Sequence, residues 1–117
     1  MDTNKLVGVV GPCAAGKTTL TAYLQSKGYN VRHIAQEHSY VHEMWKIITN
    51  PDILIYLEVD YRETVKRKKL DWTEDEYREQ LRRLSHAHEH ADLIIDTNQM
   101  TAEEVLATVE NYLSIEG

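Results

Sequence analysis

The sequence predicts an α/β fold: a three-layer arrangement in which a parallel sheet of about four strands, in the order 2-1-3-4, carries helices on both faces, with a glycine loop after strand 1. Three observations predict it. Short apolar runs alternate with amphipathic stretches, the pattern of strand, crossover and parallel strand. Two of those runs, Leu6-Val7-Gly8-Val9-Val10 and Ile53-Leu54-Ile55-Tyr56-Leu57, are almost continuously apolar, as strands covered on both faces are. Between the runs, helix starts and stops can be read from capping residues, glycine and proline.

The strands are expected at 5–10, 31–36, 52–59 and 91–96. A helix over 17–27 presents Leu20 and Leu24 on one face and stops at Gly28, which tolerates the left-handed conformation of a helix end. Val41, Met44, Trp45 and Ile48 form an apolar stripe on a short second helix, which must stop near Asn50 because Pro51 follows. Thr73-Glu74-Asp75-Glu76 and Thr101-Ala102-Glu103-Glu104 have capping-box spacing and open the last two long helices. Their expected buried lines are Tyr77, Leu81 and Leu84, then Val105, Leu106, Val109, Tyr112 and Leu113. No repeat, low-complexity segment or change of composition divides the chain, so 1–117 is expected to be a single domain.

At 117 residues, with 42% hydrophobic and 27% charged residues, the composition is that of an ordinary globular protein. A chain of this length buries about two thirds of its unfolded surface in one core. The formal net charge of −6 argues against nucleic-acid or membrane binding as the main activity, since both rest on a basic surface. No stretch approaches a membrane span, and the first residues lack the regions of a secretory signal, so a cytoplasmic location is expected. The single cysteine, Cys13, cannot form an internal disulfide, in keeping with a reducing compartment.

Gly11-Pro12-Cys13-Ala14-Ala15-Gly16-Lys17-Thr18 fits G-x-x-x-x-G-K-[ST] in full, between an apolar strand and a helix. That context points backbone N–H groups and a helix N-terminus at phosphate. The glycines allow the sharp path, Lys17 can reach the β and γ phosphates, and the Thr18 hydroxyl can ligate Mg²⁺. Thr19 extends the same first turn. Nucleotide and Mg²⁺ are therefore the expected ligands, with ATP the expected nucleotide.

From these residues the chain resembles the P-loop kinases of nucleosides, nucleotides and small metabolites. The stretch 51–59, followed by Tyr61 and the residues up to Arg67, looks like the strand and lid helix of thymidylate-kinase-like enzymes; 91–97 looks like their final strand. The resemblance implies that Arg67 belongs to a lid that neutralises the transferring phosphoryl, and that Thr97, Asn98 and Gln99 flank the base. The chain departs from the family between its first helix and 52, where one strand and one short helix stand in place of two strands and an acceptor-binding subdomain.

Glu37, leaving the second strand beside the loop, is the candidate carboxylate, either holding Mg²⁺ or orienting an acceptor hydroxyl; the alternative is a solvated carboxylate at a strand end. Glu58 and Asp60 end the third strand and are weaker alternatives, suited to capping the next helix. In the basic segment Lys66-Arg67-Lys68-Lys69 with Arg78, Arg82 and Arg83, a lid competes with a solvated face, because Glu74 with Arg78 and Glu79 with Arg83 stand at i,i+4. Arg82 is the second choice after Arg67. Trp72 either seals such a lid or packs.

His86 and His90 share a helical face, but no third ligand at plausible spacing is evident and a structural reading is preferred. His38 and His42 follow Glu37, where an acceptor or acid/base role stands against a surface location. Cys13 reads as a small filler pointing away from phosphate, and Tyr40 and Trp45 as pocket or core.

Two functions follow. The first is an ATP-dependent phosphotransferase acting on a small metabolite, a nucleoside or nucleotide by resemblance, using Lys17, Thr18, Glu37 and Arg67. The second is a reduced nucleotide-binding module, a slow NTPase or a nucleotide-responsive partner. A GTPase is disfavoured because N-K-x-D and D-x-x-G switch motifs are missing, and a motor ATPase on chain length. A homodimer is one way to complete the acceptor site.

Overall fold

The computed structural model describes residues 5–68 and 71–116, without the side chains of 68 and 116. In chain order it contains β1 (Leu6–Val10), α1 (Lys17–Ser26), β2 (Asn30–His33), β3 (Ile53–Glu58), α2 (Tyr61–Lys68), α3 (Glu74–His90), β4 (Leu93–Asp96) and α4 (Ala102–Glu116). All pairings are parallel and the sheet order is β2-β1-β3-β4, as the sequence predicts.

Register is fixed by the same device twice. The Asp52 carboxylate accepts the N–H of Leu6 at 2.7 Å while its own N–H donates to the Leu6 carbonyl. Asp92 repeats this on Leu54, at 2.8 Å in both directions. Each aspartate thus closes the start of one strand onto its neighbour.

Alternation along the central strands produces the three layers. Val7, Val9, Ile53, Ile55 and Leu57 point to one face, where Leu20 and Leu24 of α1 and Val105, Leu106, Val109 and Leu113 of α4 cover them. Val10, Leu54 and Tyr56 point to the other and meet Ile34, Trp45, Leu84 and Ala87. Position 8 faces that second side and is glycine because a Cβ there would stand 2.8 Å from Ile34 Cδ1 and 2.9 Å from Pro51 Cγ. Both capping boxes form, with Thr73 and Glu76, and Thr101 and Glu104, exchanging side-chain and backbone bonds. Gly28 ends the first helix at φ +91°.

Three expectations need correction. β2 ends at His33, not at 36, because Ala35 leaves the extended conformation and 36–38 wind into a single 3₁₀ turn. The expected stripe of the second helix does not form as a stripe: Val41 and Ile48 are exposed and only Trp45 is fully buried. Gln36 explains this, since its amide donates to the Val41 carbonyl and its carbonyl accepts the Trp45 N–H, replacing helical bonds; the chain continues as a π-helical turn, Trp45–Thr49. On α3 the buried line is Gln80, Leu84 and Ala87, while Tyr77 and Leu81 are half-buried. The Tyr77 hydroxyl donates to the Val59 carbonyl at 2.6 Å, so this side chain spans to the strand end and does not enter the core.

Tyr56 is 3% exposed and its hydroxyl makes no hydrogen bond within the described residues. Burial first, and the Glu58 carboxylate next, push its ionisation well above the usual 10.0. The sign follows from linkage: the unfolded chain loses this proton near pH 10 while the native protein keeps it, so stability is fully present below that value and falls as pH rises through it. Tyr56→Phe is expected to change stability at neutral pH by no more than about 1 kcal/mol and to lose less melting temperature than wild type at about pH 11, measured by circular dichroism.

Candidate nucleotide site

The loop between β1 and α1 runs over the end of β3. A Cβ on Gly11 would stand 2.4 Å from the Leu57 carbonyl oxygen, so only glycine permits this approach. Ala14 (φ +69°) and Gly16 (φ +100°) turn the chain back into α1. No side chain caps that helix, and the first-turn amides of such a helix have no partners inside it. Thr18 and Thr19 are exposed beside them.

Lys17 is 5% exposed, and its ammonium contacts the carbonyls of Gly11 and Pro12 at 2.6 and 2.8 Å and Glu37 Oε2 at 3.0 Å. All three of its donors are thereby used. Glu37 is 4% exposed, which overturns the solvated strand-end alternative; its second oxygen, Oε1, is buried without a hydrogen-bond partner among the described residues. The 3₁₀ turn after β2 turns this carboxylate back toward the loop. Neighbouring His33, exposed at its outer side, is held below the usual imidazole value, first by partial desolvation and then by the Lys17 cation.

A cleft of about 540 Å³ runs across the loop, bounded by residues 13–20, by His33, Glu37, Arg67 and Thr97, and by Met100, Ala102, Val105 and Leu106. One end is lined by the polar Lys17, Thr18, Thr19 and Glu37; the other, at Met100, Ala102, Val105 and Leu106, is apolar. Arg67 joins them. Its guanidinium donates to Glu63 and to Ala14 O at 3.0 and 3.1 Å, and to both Thr97 Oγ1, at 3.1 Å, and the Thr97 carbonyl. A second cavity of about 450 Å³ lies on the α3 side, reached by Pro12, Tyr56, Glu58, Asp60, Tyr77, His88, Glu89, Asp96 and Asn98.

Of the residues expected at the site, Cys13, Ala14, Ala15, Gly16, Lys17, Thr18, Thr19, Glu37 and Arg67 meet in the cleft. Gly11 and Pro12 contribute their carbonyls to Lys17. Asn98 does not join them. Its carbonyl accepts the Asp60 N–H, its amide donates to Asp96, and it lines the second cavity, leaving Thr97 and Met100 at the cleft. Arg82 is also misplaced by the sequence reading, because its side chain is 66% exposed and paired with Glu79 at 2.5 Å. Asp60 caps α2 through Glu63 N, as its alternative role required.

Glu74–Arg78 and Glu79–Arg83 form as helix-surface pairs. Trp72 packs: its indole donates to Thr64 Oγ1, and it meets Tyr77 edge-on at 6.0 Å. Lys69 lies outside the described residues, as does the side chain of Lys68. The His86 imidazole accepts from the Trp45 indole and stacks on His90 at 4.3 Å. His38 and His42 are exposed.

Two residues, Gln80 and Gln36, were not anticipated, and Arg83, expected in a lid or on a solvated face, makes contacts that were not. Gln80 accepts the Cys13 N–H at 3.0 Å and donates to Cys13 Sγ at 3.1 Å, tying α3 to the loop. Arg83 reaches the Glu37 carbonyl at 3.4 Å and lies over the Tyr40 ring. Gln36, fully buried, organises the segment beyond Glu37. The available signal was a polar residue on a buried helix line: Gln80 stands four residues before Leu84 and seven before Ala87.

No helix among the described residues is long and apolar enough to cross a membrane. No curated protein matches the chain. A family model described as an AAA domain matches residues 7–108, and that family belongs to the P-loop NTPase clan. The match covers the loop, Glu37, Arg67 and, apart from Leu6, the four strands, and it does not single out the thymidylate-kinase-like group. The chain belongs to the AAA domain family of P-loop NTPases and is a P-loop nucleotide-binding domain.

Proposed function

We propose that the protein is an ATP-dependent phosphotransferase acting on a small hydroxyl-bearing metabolite. The observation that carries this reading is the buried contact of Glu37 with Lys17 across the cleft, leaving Oε1 without a partner. A phosphate-binding lysine beside a carboxylate with one uncommitted oxygen is what in-line transfer to a hydroxyl requires.

In this reading the adenine lies against Met100, Ala102, Val105 and Leu106, with the plane of the Arg67 guanidinium closing that end. The first-turn amides of α1 receive the phosphates. Lys17 exchanges one of its carbonyl contacts for a γ-phosphate oxygen. The Thr18 hydroxyl is the group that would hold Mg²⁺, which would supply charge neutralisation on the phosphates when bound, and Glu37 is left to the acceptor. The acceptor oxygen forms a bond to the γ phosphorus as the bond to the β–γ bridging oxygen breaks. Glu37 Oε1 takes the hydroxyl proton, and ADP leaves.

Glu37 lines the nucleotide cleft and not the second cavity, so the acceptor hydroxyl would meet Oε1 from the cleft. The alternative, a nucleotide-binding module without an acceptor, draws support from the short 39–52 segment. A screen separates the two. ADP release that rises when nucleosides or amino-alcohols are added supports the phosphotransferase, and release indifferent to every acceptor supports the module.

Lys17→Ala is expected to lower triphosphate affinity about ten- to a hundredfold while leaving the bare nucleoside bound as before, because one charged contact contributes about 1.5–3 kcal/mol. Isothermal titration with a non-hydrolysable ATP analogue checks this, and equal losses for both ligands contradict it.

Breaking a buried ion pair from one side costs about 3–5 kcal/mol, whereas removing both charges relieves both desolvation terms. Lys17→Met should therefore destabilise the fold by about 3 kcal/mol, and Lys17→Met/Glu37→Gln should recover much of that loss in urea unfolding. Glu37→Gln alone is expected to lower turnover about 10²- to 10⁴-fold while retaining nucleotide binding, read against the acceptor found in the screen.

A further inference from the structure

Cys13, Glu37 and His38 come from two separate segments, the phosphate loop and the turn after β2. Their ligand-type atoms, a thiol sulfur, a carboxylate oxygen and a ring nitrogen, all lie within 4.8 Å of one another. Glu37 Oε1 is buried with no partner among the described residues, while Oε2 holds Lys17 at 3.0 Å and lies 3.8 Å from His38 Nε2. Gln80 fixes the cysteine at both its N–H and its sulfur, and its amide donates to that sulfur as outer partners of metal thiolates do.

We propose that these three side chains form a site for a thiophilic divalent cation of the zinc type, distinct from the Mg²⁺ expected at Thr18. A mixed sulfur, oxygen and nitrogen set suits zinc and disfavours magnesium, which takes oxygen alone. Zinc–ligand bonds of 2.0–2.3 Å put tetrahedral ligand atoms about 3.3–3.8 Å apart, so the three atoms need to close by about 1 Å. His38 can supply that movement, because its side chain is 60% exposed and its Nε2 already stands 3.8 Å from Glu37 Oε2. Cys13 and Glu37 line the cleft, so the fourth position is filled from there, by water or by a ligand oxygen. Bound zinc would take the Glu37 carboxylate that the transfer step uses, making zinc and turnover mutually exclusive. That consequence rests on the phosphotransferase reading; the site itself does not.

The test uses the untagged full chain and Co²⁺ alone, with no nucleotide. A thiolate-to-cobalt charge-transfer band saturating at one ion per chain, and abolished by added Zn²⁺, is expected. Cys13→Ser should lose the band, and His38→Ala, an exposed position that leaves the core intact, should bind Co²⁺ at least about tenfold more weakly. His86→Ala should bind as wild type. Thermal melts confirm that each variant is folded. Cobalt binding without a thiolate band, a band that survives Cys13→Ser, or unchanged affinity in His38→Ala would overturn the proposal, whatever the protein does with ATP.

Discussion

The buried contact between Lys17 and Glu37 sets the terms for everything around it. An ammonium at 5% exposure is tolerable only where its hydrogens are matched, and here two loop carbonyls and one carboxylate match them. To supply those carbonyls, the loop must fold inward over the end of β3, which only glycine at 11 allows. To supply the carboxylate, β2 must end early and the chain must turn at once, which is why a 3₁₀ turn replaces the last expected strand residues. Gln36, buried at the base of that turn, then decides how the next ten residues run. The loop and the turn after β2 are thus held together by opposite charges, not by an apolar core.

Sequence logic recovered the layers and the strand order because they rest on periodicity, and periodicity is local. The runs at Val7 and Ile55 could only be strands covered on both faces, and the loop motif could only sit between strand and helix. The same logic placed Glu37 beside the loop from topology alone. It failed where side chains replace backbone bonds. Nothing in the spacing of Val41, Trp45 and Ile48 shows that the Gln36 amide will intercept the helix they suggest. Asn98 and Arg82 were misplaced for a related reason: each was assigned by its position in a segment, whereas Asp96 and Glu79, close neighbours in sequence, capture their side chains.

Arg67 shows how one residue can be foreseen in place but not in use. A lid cation was expected to meet phosphate, yet four of its five N–H groups are committed to Glu63, Ala14 and Thr97. The guanidinium works as a brace between the phosphate loop and the loop after β4. α3 braces the loop from the other side through Gln80. The loop is therefore gripped from both layers of the protein, which limits how far it can move to accept a ligand.

The aspartate clips at Asp52 and Asp92 lie at the opposite edge of the sheet from all of this. β3 alone, six residues long, spans about 20 Å. A parallel ladder can slide along its neighbour, and a two-residue slide would keep every side chain on its proper face while carrying the strand ends about 7 Å out of place. Hydrophobic patterning is blind to that error. The clips are not, because each matches one carboxylate to one amide at a single register. The alignment of Glu58, Gly11 and Thr97 at the working edge is accordingly set from the far side of the molecule, and residues with no access to the cleft determine whether its parts face one another.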